Sequence, residues 1–104
     1  MVDKEVFLKV LEKRVDSLPE NHYLDIRTYK RNRKVYVVKR SNDTFEVLED
    51  GYFKNEYVVK GKKELKKLFK KLLRIEFPRS HKIRVYYMGE YSEEKVKNTK
   101  MKEL

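Results

Sequence analysis

A chain of 104 residues, 39% hydrophobic and 12% aromatic, is the length of one small domain, and its supply of aromatic and β-branched residues separates it from disordered chains. It has no cysteine, which excludes disulfides and thiolate metal sites and suits a reducing cytoplasm. The early acids of "MVDKEVFLKVLEKR" and its lack of a continuous apolar run argue against a signal peptide or a membrane span.

In chain order, Asp3 is placed to cap a first helix over roughly residues 4–17, with Val6, Phe7, Val10, Leu11, Val15 and Leu18 as its apolar stripe and Pro19 just past its end. "HYLDIRTY" and "KVYVVKR" alternate apolar and polar residues and read as strands joined at "KRNR", where Asn32 suits a left-handed turn. "TFEVLE" is the next strand, and Asp50-Gly51 signals a hairpin into "YFKNEYVVK". Gly61 breaks this four-strand meander. Leu65, Leu68, Phe69, Leu72 and Leu73 then recur at helical spacing until Pro78 ends the second helix. "HKIRVYYM" alternates again as a fifth strand. The order α-β-β-β-β-α-β predicts an α+β fold over residues 1–90, a mainly antiparallel sheet with both helices on one face, followed by a charged tail over 91–104 that is flexible or loosely helical.

The net charge of +10 matters for function only where it is localised. By segment it runs −1 over residues 1–21, +3 over 22–60, +8 over 61–88 and 0 over 89–104. Most of the excess thus lies on and just after the second helix. At 100° per residue, Lys63, Lys66, Lys67, Lys70, Lys71 and Arg74 fall together opposite its leucines, with Lys62 at the start of the same helix. Like charges recur at i, i+3 and i+4, and Glu64 alone offers relief, whereas the first helix interleaves acids and bases. Such a face meets phosphates through Coulomb attraction and counterion release.

A second candidate surface is the sheet face turned away from the helices. If Leu24, Ile26, Val35, Val37, Ile83 and Val85 point inward, then Tyr23, Arg27, Tyr29, Lys34, Tyr36, Arg40, Lys82, Arg84 and Tyr86 point outward. Tyrosines interleaved with cations suit base stacking and backbone contact on a single strand. Val38, Leu48, Val58 and Met88 share that face and suit instead a homodimer interface or a cover from the tail. Arg79, Ser80, His81 and Lys82 form a smaller group able to hold one phosphate.

Nothing in the sequence specifies a reaction or a cofactor. Two isolated histidines do not make a metal site, Ser80-His81 lacks a partner acid, and the acids Asp43, Glu46, Glu49 and Asp50 divide between the two faces of one strand and its turns. With three glycines there is no phosphate-binding loop. "GKKELKKLFKKLL" is similar to the start of the second helix of double-stranded RNA-binding domains, and the resemblance implies phosphate contacts by Lys62, Lys63 and Lys66. It covers residues 61–73 and departs in the extra strand before the helix and the strand after it.

The expectation is a small, non-catalytic cytoplasmic module that binds nucleic acid, RNA or a single strand in preference to duplex DNA. Its site is Lys62, Lys63, Lys66, Lys67, Lys70, Lys71, Arg74, Arg79, Lys82 and Arg84 with Tyr36 and Tyr86. Alternatives are an interaction subunit whose lysine face docks an acidic protein, and an enzyme acting on a phosphorylated small ligand. The charged fraction of 42%, rich in Lys and Glu, is of the kind found in thermophile proteins.

Overall fold

A computed structural model describes residues 2–28, 33–78 and 80–92. The elements are β1 (Val2–Asp3), a 3-10 turn (Lys4–Val6), α1 (Phe7–Ser17), β2 (His22–Thr28), β3 (Lys34–Lys39), β4 (Thr44–Asp50), β5 (Lys54–Lys60), α2 (Gly61–Glu76) and β6 (Lys82–Glu90). They form an antiparallel sheet in the order β1-β6-β2-β3-β4-β5. The meander expected from alternation runs from β2 to β5. The connection through α2 then carries the chain back across one face, so that β6 pairs with the opposite edge of the meander. The unforeseen sixth strand, β1, is two residues long, too short for alternation to reveal, and exists because Val2 and Asp3 pair with Ile83 and Lys82. The turn expected at Asn32, Tyr29 on the outer face, Arg79 and the tail from residue 93 lie outside the described residues.

Both helices pack on one sheet face around a single core. Phe7, Leu11, Val15 and Leu18 of the first helical segment meet Leu24, Ile26, Val35, Val37, Phe45, Val47 and Ile83 of the sheet and Leu65, Phe69, Leu72 and Leu73 of α2. The Phe7 and Phe69 rings join the helices at 5.7 Å. Two lysines are spent on this frame: buried Lys39 donates to the Val15 carbonyl at 2.8 Å, and Lys4 to the Phe77 carbonyl at 2.6 Å, each satisfying an acceptor near a helix end. Asp3 is not the side-chain cap expected of it, because its carboxylate pairs with Lys82 across the β1–β6 edge. Among the described residues no helix is long and apolar enough to cross a membrane.

The outer sheet face is not the open platform expected. Tyr36 is only 2% exposed, and with Tyr23 and Val38 it forms a second apolar cluster against Leu48, Met88 and Tyr91. A bulge in β6 between the pairs Tyr23–Gly89 and Leu24–Tyr87 lets Met88 join it, with Gly89 at φ 81° taking a conformation that other residues rarely adopt. Asp25, fully buried on the same face, accepts both Nε and Nη2 of Arg27, the latter at 2.6 Å.

At the far end of the sheet the β4–β5 hairpin curls onto the end of α2. Glu76, the last residue of α2 and 0% exposed, accepts the main-chain N–H of Tyr52 at 2.6 Å and of Phe53 at 3.0 Å. Arg33 donates to the carbonyls of Ile75 and Glu76 and so caps the same helix end. A carboxylate at a helix C-terminus opposes the helix dipole at a cost of about 0.3–1 kcal/mol, but each hydrogen bond to a charged group returns about 1.5–3 kcal/mol, so the clasp is favourable. It depends on Gly51, where a Cβ would lie 2.2 Å from Glu76 Oε1 and 3.1 Å from Arg33 Cβ. Gly51 therefore serves close approach, whereas the sequence suggests only a turn. Substituting Gly51→Ala is expected to destabilise the fold by about 1–3 kcal/mol, the usual cost of overpacking, read as a lower urea midpoint with an unchanged slope. Full wild-type stability would show that the clasp is not needed.

Candidate functional site

Gly61 opens α2 with φ 80°, its N–H bonded to the Asp43 carbonyl, and Glu64 folds back to accept the Lys60 N–H at 2.9 Å. Burying Leu65, Phe69, Leu72 and Leu73 fixes the rotation of the helix, and that rotation decides what each lysine meets. Lys62 and Lys66 lie on the flank towards α1. Lys62 pairs with Asp16 at 2.9 Å and with Glu12 at 3.9 Å, and Lys66 pairs with Glu12 at 3.1 Å. The hydrogen bond that Lys62 donates to Asp16, foremost, raises the Lys62 pKa. The interleaved acids of α1 thus neutralise the near edge of α2 as well as α1 itself.

What remains is narrower and more uniform. Lys63, Lys67, Lys70, Lys71 and Arg74 are exposed, and among the described residues none makes an ion pair or a side-chain hydrogen bond. At 100° per residue they span an arc of about 100°, and along the axis about 16 Å. No acid from α1 reaches them. This is a ridge of positive charge on a convex surface, suited to an extended anion.

The other sequence candidates are differently placed. Lys82 is exposed but engaged by Asp3, and Arg79 is outside the described residues, so the phosphate-sized group Arg79–Lys82 is not assembled among them. Arg84 donates to the Tyr86 hydroxyl at 3.2 Å, both half-buried on the outer sheet face, and Tyr36 is enclosed. Burial, helped by Asp25, pushes the Tyr36 hydroxyl pKa well above its ordinary value. The outer-face candidates are therefore separate from the α2 ridge and offer no exposed tyrosine ring at Tyr36 for stacking. A cleft of about 400 Å³ lined by Arg14, Ser17, Leu18, Pro19, Leu24 and Tyr87 lies beside the end of α1 and includes no residue of α2. No group of acids and histidines suited to a metal ion occurs among the described residues.

Sequence reasoning missed an aromatic group at the C-terminal end of α2. Tyr52 and Phe53 are 70% and 49% exposed at the β4–β5 tip, their rings 5.0 Å apart and steeply tilted, with the Arg33 guanidinium 5.4 Å over the Tyr52 ring. The available signal was an aromatic pair directly after Asp-Gly, where a hairpin loop normally carries polar residues. Beneath the tip, Glu49 is buried beside Glu76. Its Oε1 accepts from Asn55 at 3.1 Å and from the Tyr57 hydroxyl at 3.0 Å, while its buried Oε2 has no donor among the described residues. A proton on Glu49 turns that oxygen into a donor to Glu76 and satisfies both groups. Burial, foremost, and the neighbouring Glu76 raise the Glu49 carboxyl above its ordinary value. For Glu76 burial acts upward too, but bonds from Glu49, Tyr52 and Phe53 outweigh it and hold the carboxyl below its ordinary value.

The two shifts have opposite consequences for stability. Depressed Glu76 stabilises the fold above its unfolded pKa, and that contribution disappears as pH falls through its folded value. Raised Glu49 stabilises the fold while protonated, and its contribution is lost as pH rises from 4.5 through its folded value. Glutamine at position 49 keeps an acceptor for Tyr57 and a donor for Glu76 without a titrating proton. Thermal melts from pH 4.5 upwards should therefore show Glu49→Gln gaining on the wild type as pH rises. Parallel curves would mean that the two carboxyls share no proton.

In comparisons with known proteins, the chain matches no protein-family model, no curated protein and no solved structure.

Proposed function

We propose that this protein is a non-catalytic nucleic-acid-binding module whose contact surface is the exposed ridge of α2. The observation that carries this reading is the set Lys63, Lys67, Lys70, Lys71 and Arg74, five exposed cations on one face with no ion pair among the described residues and with Glu64, turned back to the Lys60 N–H, as the one acid on the same stretch of helix, in a protein whose acids neutralise the adjacent flank. Mutual repulsion makes such a face unfavourable for the isolated fold. Binding a phosphate backbone relieves that repulsion and releases condensed counterions, which gives affinity without sequence readout. The sequence's net excess of +10 adds long-range attraction for any polyanion. Lys62 and Lys66, paired to α1, hold the helix in place and contribute less to binding.

The test is the salt dependence of binding to a single-stranded oligoribonucleotide. Each neutralised phosphate on a single strand contributes about −0.7 to the slope of log affinity against log salt, so five contacts give about −3.5. Replacing Lys67, Lys70 and Lys71 by Gln should remove about 2 from that slope. Replacing Lys62 and Lys66 by Gln should change it little, at some cost in stability. A salt-independent affinity, or equal effects from the two sets, would refute the assignment of the ridge. Competition by polyglutamate as effective as that by RNA would assign the ridge to an acidic protein instead.

A further inference from the structure

We infer that Tyr52 and Phe53 form a stacking element for unpaired bases at the C-terminal end of α2, joined to the buried side of that helix through Glu76, so that the preferred ligand is a single strand and not a duplex. This deepens the nucleic-acid reading above and rests on it. Neither ring belongs to either apolar cluster of the fold, and both are substantially exposed. Large apolar rings left in solvent contribute little to folding, yet their main chain is held by a fully buried carboxylate, so the tip is fixed in advance of any contact. Two cations flank the rings, Arg33 over the Tyr52 ring and exposed Lys54 directly after Phe53, while Asp50 is paired in register with Lys54. The nearby carboxyl of Glu76 is turned into the clasp and that of Glu49 is buried beneath it. An aromatic pair framed by cations fits a ligand that carries both π-faces and phosphates, as a single strand does. A duplex keeps its bases stacked internally and offers the same pair only its backbone.

Fluorescence anisotropy on the full chain with a labelled single-stranded oligoribonucleotide of about 15 nucleotides, and with the blunt duplex of the same sequence, distinguishes the outcomes. The variants are Tyr52→Ala with Phe53→Ala, and Tyr52→Leu with Phe53→Leu, which keeps apolar bulk but removes the rings. Single-strand affinity should fall about 10- to 100-fold in both, with duplex affinity and the salt slope unchanged. Unchanged single-strand affinity, equal losses for both ligands, or rescue by the leucine pair would overturn the inference while leaving the ridge assignment intact. Self-association of the wild type that the alanine pair abolishes would also overturn it, by giving the tip to a second copy of the chain. Failure of the wild type to bind either ligand at low salt would overturn both this inference and the reading beneath it.

Discussion

The end of α2 depends on one buried carboxylate. Glu76 closes the helix against its own dipole, and it does so because two main-chain donors of the β4–β5 tip make the site worth more than the dipole costs. The consequence is structural economy. One side chain fixes where α2 stops, how the hairpin bends and which way its aromatic rings face. Gly51 is the price of bringing that carboxylate so close, and Arg33 ties the same helix end to the chain leading into β3.

The other decisive arrangement is the packing of α1 beside α2. Helix rotation is set by the core, through Phe7 against Phe69 and the leucines of α2 against the sheet. Once that is fixed, Glu12 and Asp16 reach only the near flank of α2, and the lysines divide into two groups with different duties. Lys62 and Lys66 bind the helices to each other. The remaining five cations are left facing solvent at a separation that keeps them mutually repulsive, which is the condition under which an external polyanion stabilises the surface.

Periodicity made the core legible. Alternation in "HYLDIRTY", "KVYVVKR" and "TFEVLE" identified the inward residues of the sheet, and the i, i+3, i+4 pattern identified the buried stripe of α2, because both signals come from one element facing one core. The misses have a common origin in contacts between elements distant in sequence. Lys62 and Lys66 looked like the rest of the lysine face, since a helical wheel shows direction but not which acid waits there. Tyr36 looked exposed because alternation marks it as opposite to the core, yet this sheet buries residues on both faces. Glu49 and Glu76 are 27 positions apart, and nothing local joins them. Their meeting is a product of the turn at Gly51 and the length of α2.

On this proposal α2 carries the polyanion-binding ridge, the aromatic tip stands at the C-terminal end of the same helix, and the outer sheet face is structural. Amide chemical-shift mapping during titration with a single-stranded oligoribonucleotide tests it most directly. Perturbations are expected only at Lys63–Arg74 of α2 and at Tyr52 and Phe53, with Tyr36, Val38 and the α1 residues Glu12 and Asp16 unmoved. Perturbations centred on Tyr36, Arg84 and Tyr86, with α2 silent, would contradict it.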